Sequence, residues 1–449
     1  MMAFLEHLLH PEYLDLFYFC TLGVFLSALI SFLPALHIYN VIGIFLLLIL
    51  KFEATMAPMQ LVSLCTGMIV GYSILNTVPA TYFGPGDESL SYYVLPSADW
   101  LSKGRGYESV ILTGVGALTG CIALGVMAPL FLLFLPGLKT ITSPHMFWII
   151  GAVISYMVLS EWPKGISQSE SCWANFLEGW KFLGVGLVTF LLSGLLGFIV
   201  MAKTMVPVDF AFQSITPVFV GLYAIPWLIT NILNIGMIPK QHESQSMELD
   251  WDLVARGTFG GFLGGFFAAF VPIVTAGVGG LMAGHATAQR DGRLFVMSYG
   301  TCKTVYYVGS FMLFFIPGLS LTRGGLAWIV TPVVSVLTMK EYALFVGLML
   351  FSAGLSFLLL MPFTRLCIKI VEKIPYHWVS VVALAIVIPG VFSFTGWGGM
   401  AIMTVATGLG LLPVMFQARR MNLMGVLLLP VCLNMAGYGN DVLKFLGLI

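Results

Sequence analysis

The chain has 449 residues, 59% of them apolar and 9% charged, with 20 basic and 20 acidic residues that cancel; its mean hydropathy is +0.98. A neutral chain of this kind carries no electrostatic footprint for nucleic acid, and its apolar runs reach the roughly 20 residues needed to cross a bilayer. Those runs are continuous rather than alternating, which excludes a lipid-facing barrel and implies an all-α polytopic membrane protein, multi-pass in a cell membrane.

In chain order, the N-terminus carries Glu6, Glu12 and Asp15 with no basic residue ahead of the first apolar run, unlike a cleaved signal peptide. Spans are predicted at 16–36, 39–50, 59–78, 110–134, 146–159, 182–200, 210–235, 259–274, 294–316, 342–361, 378–394, 400–415 and 421–435. Several are too short to cross unaided, so the expectation is roughly 10–14 membrane segments, some of them half-crossings. A turn-rich polar loop, 84–106, holds Asp87, Glu88, Asp99, Lys103 and Arg105. A second polar stretch, 239–256, is rich in Gln, Glu and Ser and reads as a solvated linker. Arg365, Lys369 and Lys373 recur every fourth residue after a span, as a positive-inside anchor would. The seven cysteines are odd in number and mostly lie in apolar runs, with no Cys-x-x-Cys pair, and no two of the seven histidines are spaced i, i+4. They read as packing residues; no metal, cofactor or catalytic apparatus is expected.

The first half returns in the second. Leu33-Pro34 recurs as Val271-Pro272 and Val78-Pro79 as Ile316-Pro317, both at an offset of 238. The same register pairs Gly23, Ser27 and Ser31 with Gly261, Gly265 and Ala269, small residues every fourth position that let a neighbouring backbone approach closely. Beyond the prolines it shifts to 233, pairing Gly114 with Gly347 and Pro129 with Pro362. The expected organisation is a first transmembrane repeat at 1–238, a linker at 239–256 and a second repeat at 257–449, the two inverted if each has an odd number of crossings. Duplicated membrane proteins of this design are transporters rather than enzymes.

Matched prolines predict broken helices and re-entrant-type hairpins, where half-helix ends can hold an ion; the alternative is an ordinary proline kink. The first pair of breaks offers Ser31, Pro34, His37 and Asn40 in one copy and Pro272, Thr275 and Gly277 in the other as substrate-binding residues. The second offers Asn76, Thr77 and Thr81 opposite Pro317 and Ser320, neutral groups that otherwise would cap helix ends. Lys303 stands in a largely apolar run with Thr304 beside it and Ser310 two turns on. If the run is one helix its ammonium is near mid-membrane, an expensive position that marks function unless the side chain snorkels to a loop. Its register partner is Cys65.

At these residues the chain resembles the large permease subunit of tripartite tricarboxylate transporters, the TctA family, in its archaeal predicted-permease branch. The resemblance rests on the Pro34 and Pro272 hairpins, on Asn76-Thr77-Val78-Pro79 with the loop ending Lys103-Gly104-Arg105-Gly106, on Ile316-Pro317-Gly318, and on Ser193-Gly194-Leu195-Leu196-Gly197 leading to Pro217-Val218-Phe219-Val220-Gly221-Leu222. It implies a duplicated permease that moves a polycarboxylate or other organic anion, driven by an ion gradient, with a small membrane subunit and a binding protein as partners and room for a homodimer. The chain departs from the family in having Ala35, Leu36 and His37 where glycines usually follow the first proline, and Lys303 and Thr304 where an acid-and-asparagine cluster is usual. The pattern is also similar to duplicated hairpin proteins that move polyprenyl-phosphate lipid carriers, which leaves a phosphate-lipid flippase as the alternative and a lipid-modifying membrane enzyme as a third reading.

Overall fold

The computed structural model describes residues 11–32, 38–39, 41–43, 56–84, 94–162, 172–203, 205–206, 215–233, 238–244, 246–289, 291–319, 321–334 and 338–449. Helix is the only regular structure among them. In chain order the elements are α1 (Pro11–Ser31), α2 (Pro58–Leu75), α3 (Thr77–Phe83), α4 (Val94–Ser102), α5 (Gly106–Thr142), α6 (Met146–Leu159), α7 (Cys172–Ala202) and α8 (Ile215–Phe219). A π-helical turn (Val220–Ala224) leads to α9 (Ile225–Leu233). There follow α10 (Trp251–Phe270), α11 (Ala276–Ala286), α12 (Gly292–Phe315), α13 (Gly324–Val330), α14 (Met339–Lys373) and α15 (Tyr376–Met415). A 3-10 turn (Arg420–Met424), α16 (Gly425–Met435) and α17 (Gly439–Phe445) complete the chain. Among the described residues eight helical runs are long and apolar enough to cross a membrane, and a ninth if Arg420–Met435 and Gly439–Phe445, bent by 116°, act together.

The described residues fall into two compact units. The first draws on Met1–Gly84, Tyr93–Thr140 and Met237–Pro375, the second on Ile141–Gly236 and Tyr376–Ile449. Each unit therefore draws on both halves of the chain.

The first unit is welded by glycines. A Cβ on Gly23 would lie 2.2 Å from the Leu64 carbonyl oxygen, one on Gly67 2.0 Å from that of Cys20, and one on Gly71 2.1 Å from Ser27 Oγ. These contacts pair rising numbers with rising numbers, so α1 and α2 are parallel. So are α10 and α12, where Gly261 meets the Ser298 carbonyl and Gly265 that of Cys302 at 2.2 and 2.5 Å. The small-residue stripe read from the sequence is thus a backbone-contact surface in both places. α5 runs parallel to α12, with Gly116 against Met297 and Gly120 against Thr301 and Val305. It runs antiparallel to α14, with Gly114 against Leu360 and Gly125 against Leu350, and with Tyr342 Oη donating to the Ala128 carbonyl at 2.8 Å. α14 in turn is parallel to α1, through Phe17–Phe351 and Phe32–Phe363 ring contacts. Helices that share sequence register, α1 with α10, α2 with α12 and α5 with α14, consequently run in opposite directions.

Helix starts sort accordingly. Those of α1, α2 and α14 meet at a small cavity lined by Asp15, Gln60 and Lys340, where Gln60 Nε2 donates to Asp15. Those of α5, α10 and α12 meet where Arg293 lies 3.9 Å from Glu108 and donates to the Glu248 carbonyl at 2.5 Å. The stretch expected to be a solvated linker is largely exposed and is anchored here by the buried Gln241. Gln241 Oε1 accepts from the Gly106 N–H at 3.0 Å while its amide donates to the Leu101 carbonyl at 3.2 Å.

In the second unit α7 and α16 are parallel and equally close, with Gly197 and Gly425 against the Val426 and Phe190 carbonyls at 1.9 and 2.2 Å. α6 is antiparallel to α16, tied at one end by Cys432 Sγ on the Phe147 carbonyl and at the other by Glu161. α15 is interrupted at Gly396, whose φ of 61° breaks the helical path.

Candidate functional site

α12 is one continuous helix of 24 residues. It begins where the Asp291 carboxylate accepts the Arg293 N–H at 3.0 Å, and it ends where Ile316, held extended by the proline after it, cannot remain helical. Lys303 stands in its interior, 0% exposed. Nearly every residue of the helix is buried, so its environment is protein rather than lipid. The snorkelling alternative therefore fails: the ammonium stays inside, and Nζ donates to Thr77 Oγ1 at 2.8 Å.

Thr77 is placed by the proline two residues on. Pro79 has no N–H for the Leu75 carbonyl, and α2 stops at Leu75 with Asn76 as the joint before α3. The interruption is milder than the full break expected there, because the Ala80 N–H still reaches the Asn76 carbonyl at 3.2 Å. Asn76 Nδ2 is buried without a hydrogen-bond partner, as is Thr304 Oγ1. One turn beyond Lys303, Tyr307 packs its ring 6.0 Å from those of Tyr72 and Tyr39. Gly324 and Gly325 fit against Tyr39, where a Cβ would come within 3.3 Å of its hydroxyl and 2.8 Å of its ring.

The break predicted at Pro272 is complete. α10 ends at Phe270, Val271 is extended ahead of Pro272, and α11 starts at Ala276 and returns antiparallel, with Gly264 and Gly279 meeting backbone to backbone. At the tip Ile273 has φ of 67°, a conformation that costs a β-branched residue about 1–3 kcal/mol. Arg323 Nε donates to the Phe270 carbonyl at 3.0 Å, satisfying a group the break sets free. Cys302 Sγ donates to the Ala276 carbonyl at 3.5 Å, which fixes the start of α11, with Thr275 and Gly277, beside the residue before Lys303.

The other predicted residues take quieter places. Ser31, Thr81 and Ser310 return their hydroxyls to the Ser27, Thr77 and Tyr306 carbonyls of their own helices, and Pro317 ends α12. Pro34, His37, Asn40 and Ser320 lie outside the described residues. Among the described residues no group of three His, Cys, Asp or Glu side chains could hold a metal ion. Around Lys303 the chemistry is that of donors: an ammonium, an uncommitted amide N–H2 and hydroxyls, with no acidic side chain of this unit fully buried among the described residues. Such a set accepts an anion.

Sequence reasoning missed Glu161, 7% exposed in the second unit. It follows an apolar run and precedes Trp162-Pro163-Lys164, and so looks like an ordinary helix end.

The sequence profile of the Tripartite tricarboxylate transporter TctA family matches residues 17–425. An uncharacterized protein of Methanocaldococcus jannaschii is 21% identical over 417 residues, covering 92% of this chain and 97% of its own. No solved structure matches. With nearly its whole length matched, the chain belongs to the TctA family of membrane transporter permeases.

Proposed function

We propose that this TctA-family permease carries a small organic anion of the polycarboxylate class, coupled to an ion gradient, and that the anion is held in the first unit around Lys303, Thr77 and Asn76. The observation that carries this reading is the fully buried Lys303 ammonium amid donors. A charge removed from water is costly unless compensated. A carboxylate beside the ammonium would supply acceptors for Asn76 Nδ2 and Thr304 Oγ1, the two buried donors without partners. The opposite directions of register-matched helices support inverted repeats, whose exchange of conformations exposes a site to either side in turn. The complete break at Pro272, lodged beside Cys302, brings the start of a half-helix next to the site. The family's tripartite description supports a small membrane subunit and a binding protein as partners.

Reconstitution into vesicles tests this. Labelled citrate and succinate should accumulate with wild-type protein, lose most of that uptake in Lys303→Ala and keep it in Cys65→Ala. Transbilayer movement of polyprenyl phosphate without carboxylate uptake would transfer the same donors to the phosphate-lipid alternative. Equal, mild effects of the two substitutions would remove Lys303 from the site.

A further inference from the structure

Glu161 lies outside the predicted spans, in the turn that closes α6, yet it is buried by distant parts of its unit. Its Oε1 accepts the Arg419 backbone N–H at 3.0 Å and Asn422 Nδ2 at 2.7 Å. Gly186 of α7 closes over it, since a Cβ there would sit 2.7 Å from Glu161 Cγ and 3.1 Å from Asn422 Nδ2. Both bonds fall on one oxygen, Oε1.

The counter-charge is turned aside. The Arg419 guanidinium donates from Nη1 to Ser160 Oγ at 2.8 Å, and among the described residues Glu161 has no ion pair. Tyr156 of α6 shares the field of the same arginine, α7 presents Gly186, and the neighbouring Arg420 guanidinium is stacked on Trp227, 4.6 Å from the ring centroid. A buried carboxylate without a contacting cation is an expensive ion.

Asn422 supplies the complement. It is 0% exposed, and Nδ2 faces two acceptors, Glu161 Oε1 and the Arg419 carbonyl at 3.2 Å, which fixes the amide's orientation. Its Oδ1 is then a buried acceptor with no donor. A carboxamide and a carboxylic acid pair through two hydrogen bonds, N–H to one carboxyl oxygen and O–H from the other to the amide oxygen. One such bond is present, and the orphaned oxygen is the acceptor the second requires.

We propose that Glu161 is a proton-binding site of the second unit: a proton from water binds Oε2, and the resulting O–H donates to Asn422 Oδ1. Burial pushes the Glu161 carboxyl above the usual carboxylate range, against the opposing pull of the Arg419 N–H, the Arg419 charge and the Asn422 amide. Its use as the coupling proton rests on the permease reading above; its protonation does not.

Infrared titration of the full-length protein in liposomes reads the proton directly. Wild type should show a protonated-carboxyl band persisting above the ordinary carboxylate range, lost in Glu161→Gln and shifted in frequency in Glu161→Asp, which serves if the glutamine variant does not fold. A wild type whose carboxyls all ionise in the ordinary range, or a band indifferent to both substitutions, overturns the proposal. In proteoliposomes, Glu161→Gln should keep citrate–citrate exchange while losing accumulation driven by a pH jump; unchanged accumulation overturns the coupling role. If wild type moves no citrate at all, the permease reading falls and the infrared result alone decides the proton site.

Discussion

Two charged side chains are buried among the described residues, Lys303 in the first unit and Glu161, 7% exposed, in the second, and they are buried on different terms. Lys303 projects from the middle of a long helix and meets a hydroxyl, beside aromatic rings and donors still without acceptors. Glu161 sits at a helix end and is wrapped by an N–H and an amide of its own chain, leaving one acceptor without a donor. The residual demand of each surrounding is what the two proposals rest on. Spare donors around a cation call for an anion, and a spare acceptor beside an acid calls for a proton.

The largest expected effect would break that contrast outright. Lys303→Met should cut anion uptake by about 30-fold to several thousandfold, the equivalent of about 2–5 kcal/mol for truncating one partner of a buried charged pair. Its thermal midpoint should hold or rise, since methionine fills a similar volume without the desolvation cost of a buried charge. A parallel loss of stability and uptake in calorimetry and flux assays would make Lys303 structural.

The two asparagines sharpen it. Asn422→Ala strips two bonds from the Glu161 cluster and should cost about 3 kcal/mol in denaturant unfolding. Asn76→Ala removes a donor with nothing to satisfy, so stability should change by less than about 0.5 kcal/mol while uptake falls about tenfold. Equal stability losses would erase the distinction between a compensated cluster and a waiting site.

The pH dependence tests the acid alone. A carboxyl whose folded-state value is raised adds stability that is fully present below its unfolded value and is lost as pH rises through the raised one. The wild-type midpoint should therefore decline across that window more than that of Glu161→Gln. The smallest effect is at the α10–α11 tip, where Ile273→Gly should stabilise by about 1 kcal/mol by relieving the positive φ. Destabilisation there would mean that the isoleucine side chain packs more favourably than its backbone is strained.

Lys303 was legible because a lone charge in an apolar run has few innocent explanations, and the small-residue stripes because spacing by four survives in any helix. Pro272 was legible as a break because nothing after it resumes the helix. Pro79 misled, because a proline early in a new helical segment withdraws one N–H without expelling the chain. Glu161 was not legible, as its partners Arg419 and Asn422 are more than 250 residues away and no local periodicity links them. Helix direction was equally hidden: a stripe records that two helices touch, never which way each points.

Direction has a practical consequence for sidedness. Since the starts of α1, α2 and α14 gather at Asp15, Gln60 and Lys340, and those of α5, α10 and α12 at Glu108, Glu248 and Arg293, the first unit carries two chemically distinct poles. Cysteines introduced at Lys340 and Arg293 should react with an impermeant maleimide from opposite faces of an oriented vesicle. The dipoles of these six helices, three aimed each way, oppose one another along the unit.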